Sequence, residues 1–389
     1  MPITWNQQLV KKENKSLVLS QIINHAPLSR ADIAQRSGLN KGTVSSLVAE
    51  LIEEKLINES GPGESSGGRR PVMLHFNHGA GHTIGIDLGV NYILGVLTDL
   101  SGNIVVHKNE AYKNISYEDT ISRVVNIIKF LISAAPPSSY HIVGIGVGTP
   151  GIVDNKGTLL LAPNLGWHDI PFQTELEKIF QIPVIVENEA NTGAYGEKRF
   201  GVGQHADNLI YISAGIGIGA GIIINGELYS GFTGYSGEVG HMTIDRNGAK
   251  CTCGNKGCWE LYASEQALLS KANTKNSPKE VGLDDIISLA KEGNKEILET
   301  LAEIGENLAV GIINIIHAFN PEQIIIGNRL ASCKQWLEPK VKEVIQQYTS
   351  PFNQTDIRID FSSPSMPVSA IGAAAFSAEA FLKAQLEIK

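Results

Sequence analysis

Cysteine is scarce in this chain, with four residues among 389. A disulfide scaffold is therefore excluded, and reduced thiols are expected. No run of about 18 apolar residues occurs that would indicate a membrane-spanning helix. The N-terminal stretch MPITWNQQLVKKENKS also lacks the apolar centre of a secretory signal peptide. Together these absences predict a cytoplasmic protein.

An overall positive charge is lacking too, since the net charge is −8. The excess of acidic over basic residues is uneven along the chain. Residues 1–80 hold nine basic and seven acidic residues, a net charge of +2, whereas the remainder holds 23 basic and 33 acidic residues, a net charge of −10. Only the first 80 residues could therefore approach DNA without strong repulsion.

Three short helices are predicted within these first 80 residues. Ser29 followed by Asp32 is typical of a helix N-terminus, and Gly38 is typical of a helix end. In the next helix, the apolar residues from Val44 to Leu51 recur at helical spacing and predict a buried face. The opposite face carries short polar side chains and a lysine that could lie close in a major groove, namely Lys41, Gly42, Thr43, Ser45 and Ser46.

Two strands are predicted next, beginning at Leu56 and at Val72, on either side of a Gly/Ser-rich tip that carries Arg69 and Arg70. Three helices followed by a basic hairpin are the layout of a winged helix-turn-helix. The wing can place arginines on phosphates or in the minor groove, so Arg69 and Arg70 join the predicted DNA-binding residues. The alternative is a small helical interaction module with a flexible linker.

One cluster has the composition of a metal site. His241, Cys251, Cys253 and Cys258 are the ligand types of a closed tetrahedral zinc site. The spacing of Cys251 and Cys253 is tighter than in usual zinc fingers, and no recognition helix follows, so we expect a structural zinc rather than a DNA-reading finger. The alternative is a set of ordinary reduced core cysteines.

From His82 onward strands and helices alternate, which predicts an α/β class. This part also holds six motifs in the order ID-x-G, GTPG, PN-x-GW, EN-x-AN-x-GA-x-GE, E-x-GH and C-x-CG-x-x-GC-x-E. Over about residues 80–385 this order resembles the ROK family, named for repressors, open reading frames and kinases.

The resemblance implies an actin-like, sugar kinase-type fold of two lobes behind the winged helix-turn-helix. We therefore predict a DNA-binding domain at residues 1–80, a smaller α/β lobe at 81–190 and a larger α/β lobe with the zinc site at 191–389. The C-terminal helix would return to the smaller lobe.

The resemblance also implies sugar contacts at Asn164, Asn188, Glu189, Glu238, His241 and Glu260. In the family, the matching histidine both binds the metal and contacts sugar. Carboxylates suit hydroxyl groups because each can accept more than one hydrogen bond. Trp167 could stack on a sugar or could equally be a core residue.

Three glycine loops depart from those of kinases in the family. The first phosphate loop, D-x-G-G-T-K, reads DLGVNY from Asp87 to Tyr92, and the second, G-T-G-x-G-G-G, reads GIGIGAG at 215–221. A later glycine run reads Gly327-Asn328-Arg329, and Glu189 replaces the aspartate that acts as the base. We therefore expect no phosphoryl transfer and assign no catalytic residue.

Winged helix and degenerate kinase core together predict a repressor of sugar utilisation genes. The junction SSGGRRPVML is similar to that of repressors of xylose genes within the family, which implies D-xylose as the inducer that releases operator DNA, with glucose as a candidate competitor. A homodimer would match two operator half-sites. The alternatives are an active sugar kinase with an accessory DNA-binding domain, and a repressor that uses another sugar or is strengthened by its ligand.

Overall fold

The computed structural model describes residues 7–62, 71–112, 116–273, 281–349 and 357–386. Its N-terminal unit is a winged helix-turn-helix in which β3 lies between β1 and β2. The elements of this unit are α1 (Gln7–His25), β1 (Leu28–Ser29), α2 (Arg30–Ser37), α3 (Lys41–Glu53), β2 (Ile57–Pro62) and β3 (Val72–Phe76).

The predicted start and end of α2 are confirmed. The Ser29 hydroxyl accepts a hydrogen bond from the Asp32 N–H, and the Asp32 carboxylate accepts one from the Ser29 N–H. This reciprocal pair satisfies two backbone donors that a helix N-terminus leaves free. Gly38 ends α2 at a φ of 72°, a left-handed conformation that glycine adopts without strain.

The first lobe of the core contains a five-stranded sheet in the order β11-β7-β4-β5-β6, in which β4, β7 and β11 are parallel. A small second sheet has the order β10-β9-β8. The elements are β4 (His82–Leu88), β5 (Tyr92–Asp99), β6 (Ile104–Ala111), α4 (Tyr117–Ser133), β7 (Ile142–Thr149), β8 (Ile152–Val153), β9 (Leu159–Ala162), β10 (Trp167–Ile170), α5 (Phe172–Phe180) and β11 (Val184–Asn188).

The second lobe contains another five-stranded sheet, in the order β14-β13-β12-β15-β16. Its elements are α6 (Glu189–Phe200), β12 (Leu209–Ala214), β13 (Ile218–Ile224), β14 (Glu227–Leu228), α7 (Glu260–Ala263), α8 (Glu265–Ala272), α9 (Leu283–Lys291), α10 (Lys295–Phe319), β15 (Gln323–Gly327), α11 (Lys334–Tyr348), β16 (Arg358–Phe361) and α12 (Val368–Gln385). Short 3₁₀ turns lie at His78–Ala80, Val239–His241 and Arg329–Cys333. Two such sheets behind a winged helix-turn-helix confirm the predicted fold class.

α10 is the one helix in the described part of the chain that is long and apolar enough to cross a membrane by length and composition alone. Half of its most apolar stretch is buried, and its residues form much of the apolar core of the second lobe. The helix begins at Lys295, where Asn294 caps it by accepting from the Ile297 N–H. Its buried face starts in the first turn at Ile297 and continues through Leu301 and Ile304.

α12 follows the second sheet in sequence but packs on β4 and β7 of the first sheet and on α6. The contact is made by backbone, because glycines face the helix. A Cβ atom on Gly146 would lie 1.8 Å from the Ala373 carbonyl oxygen, and one on Gly196 would lie 2.0 Å from that of Val368. Side chains add to the contact between the two helices, since the Tyr195 and Phe376 rings stack with 4.3 Å between centroids. α6 and α12 are therefore held together by both backbone and side-chain contacts.

Gly146→Ala should destabilise the core, because the added methyl group would push α12 away from β7. We expect a loss of about 1–3 kcal/mol, seen as a lower urea midpoint by circular dichroism. Gly79→Ala is the matched control, since no described atom lies within 4 Å of a Cβ there. Equal midpoints for the two variants would show that α12 shifts without cost.

Candidate functional site

The six predicted sugar-contact residues line one cavity between the two lobes. They come from four separate segments of the chain, and the structure brings all of them together: Asn164, Asn188, Glu189, Glu238, His241 and Glu260. Trp167 is not among the lining residues. Its ring is buried and packs edge-on against Tyr117, with 5.0 Å between ring centroids, which favours the core role left open by the sequence.

Asn188 and Glu189 occupy the junction of β11 and α6. The Asn188 amide caps α6 by accepting from the Ala190 N–H at 2.8 Å, and it donates to the Gly151 carbonyl at 2.8 Å. One of its two N–H donors is thus committed to the fold. The adjacent Glu189 carboxylate accepts from the Ser213 hydroxyl at 2.8 Å.

A second carboxyl group, Asp87 at the end of β4, lies beside Glu189. Burial, together with the nearby Asp87, raises the pKa of Glu189 to about 7. Burial also raises the pKa of Asp87 to about 6, against hydrogen bonds from Tyr92 and Ser369 that lower it. Asp87 Oδ1 is buried and has no hydrogen-bond partner among the described residues. Glu189 lines the cavity that holds the predicted sugar contacts, and Asp87 lines an adjoining cavity that Glu189 shares, so a pair of acids that resist full ionisation separates the two.

The opposite wall is built on the segment from Glu238 to Glu260. His241 Nδ1 lies 3.3 Å from Glu260 Oε1 and 3.8 Å from Cys251 Sγ, whereas His241 Nε2 lies 3.9 Å from Glu238 Oε2. One ring nitrogen therefore faces the cysteines, and the other faces Glu238 in the cavity wall.

The four predicted metal ligands meet at one point. The donor atoms of His241, Cys251, Cys253 and Cys258 all lie within 4.8 Å of one another. Cys253 Sγ and Cys258 Sγ are 3.7 Å apart, and a tetrahedron with zinc–sulfur bonds of about 2.3 Å has edges of about 3.8 Å. The cluster therefore fits a single tetrahedral ion.

The loop that carries the cysteines is folded tightly, as its two glycines allow. Gly257 has a φ of 65°, and a Cβ there would lie 1.7 Å from the Asp245 carbonyl oxygen. Thr252, between two of the cysteines, lines the cavity directly. Sequence reasoning missed Thr252, although its position between two ligands was a usable signal.

Arg329 also lines the cavity and was missed. Its Nε donates to both carboxylate oxygens of the buried Glu265, at 3.0 and 2.9 Å. Its charge is therefore already paired. The sequence placed Arg329 in the third glycine loop, but no local signal could have predicted its partner, because the contact joins residues 64 positions apart.

Two of the glycine loops are packed against side chains of the protein itself. A Cβ on Gly89 would lie 2.2 Å from Tyr92 Cε1, and the Tyr92 hydroxyl donates to Asp87 at 2.9 Å. The side-chain amide of Asn328 packs against Gly215, since a Cβ atom on Gly215 would lie 2.9 Å from Asn328 Nδ2. The same amide donates a hydrogen bond to the Ser213 hydroxyl.

A second face of interest lies on α3 in the N-terminal unit. Of its predicted DNA-binding residues, Lys41, Gly42, Ser45 and Ser46 are exposed and Thr43 is half-buried, while the apolar face of the helix is buried. Asn40 caps the helix by accepting from the Thr43 N–H at 2.8 Å. The predicted Arg69 and Arg70 lie outside the described residues.

Comparisons with known proteins agree with both parts of the chain. Residues 83–380 match the profile of the ROK family, and residues 13–66 match that of the MarR family. The chain is 44% identical to the xylose repressor of Bacillus spizizenii, over 97% of this chain and 98% of the relative.

Two solved structures are similar to the fold. A ROK family transcriptional regulator, a homologue of the Escherichia coli MLC protein, has a TM-score of 0.81 at 28% identity, covering 97% of this chain and 98% of that one. A ROK family glucokinase from Streptomyces griseus in complex with glucose and AMPPNP has a TM-score of 0.70 at 26% identity. That comparison covers 77% of this chain and 99% of the glucokinase.

Glu189→Gln should stabilise the sugar-free protein at high pH. A carboxyl group whose pKa is raised from its ordinary value of 4.5 to about 7 costs stability as pH rises through that window, because the folded state holds the proton more tightly. The amide does not titrate, so its advantage should be small at pH 5 and on the order of 2 kcal/mol at pH 8.

The measurement is the melting temperature of both proteins across this pH range, with the exposed Glu227→Gln as control. A pH-independent difference between Glu189→Gln and the wild type would contradict the assigned titration.

Proposed function

The chain belongs to the ROK family, and we propose that it is a repressor of xylose utilisation genes that D-xylose releases from operator DNA. Its coarser function, a DNA-binding and sugar-responsive transcriptional repressor, follows from the winged helix-turn-helix and from its similarity to named repressors over nearly the whole chain. Xylose comes from the name of the relative. The observation that carries the sugar site is the meeting of six predicted contacts around one cavity.

The chemistry of the cavity favours a neutral polyhydroxyl ligand. Glu189, Glu238 and Glu260 offer carboxylate acceptors, each of which can take more than one hydroxyl. The one guanidinium in the lining, that of Arg329, is already paired with Glu265. An anionic ligand would therefore meet several carboxylates with no unpaired arginine. This supports a free sugar as the ligand over a sugar phosphate.

We propose that the cluster of His241 and the three cysteines holds a structural zinc. Four protein donors would close its coordination, so the ion would fasten the loop and carry out no hydrolysis. Nδ1 of His241 is the nitrogen that faces Cys251, which leaves Nε2 to donate a hydrogen bond in the cavity. Zinc would thus orient His241 and Thr252 toward the sugar.

The packing around the same cavity supports our proposal that the protein has no kinase activity. Phosphate loops bind through backbone N–H groups that a ligand can approach closely. Here the Tyr92 ring lies over Gly89 and the Asn328 amide lies against Gly215. Glu189 is held by Ser213 in place of the shorter aspartate. The alternative function is that of an active sugar kinase. It would be supported if sugar phosphate formed when the protein is incubated with sugar, ATP and Mg²⁺.

The exposed N-terminal half of α3 suits a major groove, with Lys41 for phosphate and the serines Ser45 and Ser46 for phosphates or base edges. We propose that Arg69 and Arg70 add wing contacts, and that a cytoplasmic homodimer presents two such units to two half-sites. Glucose would compete with xylose for the same carboxylates.

Xylose should weaken operator binding by about tenfold or more. The measurement is fluorescence anisotropy of labelled DNA from upstream of this gene and its neighbours, at fixed salt, with D-xylose, D-glucose or no sugar. Tighter binding in the presence of xylose would make the ligand a co-repressor and would contradict the proposed sign.

Glu238→Gln serves as the sugar-site variant. We expect unchanged operator affinity without sugar and an about tenfold or greater rise in the xylose concentration that releases DNA, because a charged acceptor is lost. Glu227→Gln, an exposed change in the same lobe, should behave as wild type.

Cys253→Ser should lose the metal and much of the affinity for xylose, because the loop that carries His241 and Thr252 would no longer be held. The purified wild type should contain about one zinc per chain by mass spectrometry. Cys333→Ala removes the cysteine outside the cluster and should keep the ion. Full xylose affinity in metal-free Cys253→Ser would separate the metal from the sugar site.

A further inference from the structure

α12 connects the sugar cavity with the DNA-binding unit. The helix has 18 residues, which corresponds to a length of about 27 Å. Its first turn contacts the acids behind the cavity, and its last turn packs into the winged helix-turn-helix.

At the cavity end, Ser369 is the contact residue. Its hydroxyl donates to Thr192 Oγ1 at 2.8 Å, and Thr192 in turn donates to the Glu189 carbonyl at 2.8 Å. Ser369 also lines the same cavity as Asp87 and lowers the pKa of that carboxyl group. The first turn of α12 is thus hydrogen-bonded to the start of α6, which carries Glu189, and lies beside the strand end that carries Asp87.

Along its middle, α12 lies directly on the backbone of the first sheet at two glycines. A Cβ atom on Gly85 would lie 1.8 Å from the Ala370 carbonyl oxygen, and one on Gly146 would lie 1.8 Å from that of Ala373. On α6, Arg199 pairs with Glu379 of α12. Because backbone contacts backbone at these two points, a displacement at one end of the helix is passed along it with little side-chain rearrangement there.

At the DNA-binding end, Phe381, Leu382 and the buried Leu386 pack against the apolar core of the winged helix-turn-helix. Tyr140 lies between the two units. Its ring contacts Phe381 edge-on, with 5.0 Å between centroids, and its hydroxyl donates to the carbonyl of Glu54, the C-cap of α3. The end of α12 therefore contacts Tyr140, which is hydrogen-bonded to the C-terminal end of α3.

We propose that α12 transmits occupancy of the sugar cavity to α3, with Ser369 as the positioning residue at the cavity end and Phe381 as the contact at the DNA-binding end. This inference rests on the proposed function, in which the cavity binds the sugar and α3 binds the operator. Sugar that displaces Glu189 would move the first turn of α12 through Thr192, and the last turn of α12 would shift α3 relative to its partner in the dimer.

The test compares three quantities in the full-length protein. These are the operator Kd without sugar, the xylose Kd by calorimetry without DNA, and the ratio of operator Kd values with and without saturating xylose. The ratio is the coupling between the sites, commonly about 5- to 150-fold in allosteric proteins. Wild type is measured first, and a ratio of one there would refute the proposed function itself.

Ser369→Ala should keep both separate Kd values within about threefold of wild type and lower the ratio to near one. Phe381→Ala should do the same from the other end of the helix. Ser377→Ala is the matched control, since Ser377 is a buried serine of α12 whose Oγ has no hydrogen-bond partner among the described residues. It should keep the wild-type ratio.

Three results would overturn the inference. A wild-type ratio in Ser369→Ala or in Phe381→Ala would show that the signal takes another route. Loss of xylose binding itself in Ser369→Ala would make Ser369 part of the cavity and not of the transmission. An equal loss of coupling in Ser377→Ala would show that any change in α12 acts through general loosening.

Discussion

The architecture depends on the crossing of α6 and α12 at backbone distance. Glycines permit it, because a Cβ atom on Gly196 or on Gly372 would lie within 2.0 Å of a carbonyl oxygen of the other helix. α6 begins at Glu189, which lines the cavity, and α12 begins beside it. The two lobes, the cavity between them and the attachment of the DNA-binding unit are all positioned by this one contact.

In the proposed repressor, a phosphate-binding frame would have become a receptor. Tyr92 and Asn328 pack against two of the glycine loops, and both side chains hydrogen-bond to groups around the acid pair. The glycines leave room for these side chains. The half of the cleft lined by Glu238 and Glu260 would then bind the hydroxyl groups of the proposed sugar.

Local chemistry explains what the sequence could predict. The α2 boundaries depend on Ser29, Asp32 and Gly38 alone, and the metal cluster lies largely within one short loop, so both were predictable. Long-range contacts were not. The partner of Arg329 and the order of the strands depend on residues far apart in the chain. The return of α12 to the first lobe was expected from the resemblance alone. The motif resemblance supplied the sugar contacts that periodicity could not.

The acidic side chains of the cleft have a consequence for which form of the sugar the proposed repressor would detect. Phosphorylation of a sugar by its own catabolic enzymes adds negative charge, and the carboxylate wall would then repel the product. Such a receptor would read the pool of sugar that has entered but has not yet been committed to metabolism. As the enzymes encoded by the controlled genes consumed the free sugar, less of the receptor would be occupied. Expression of those genes would then fall, which is a negative feedback.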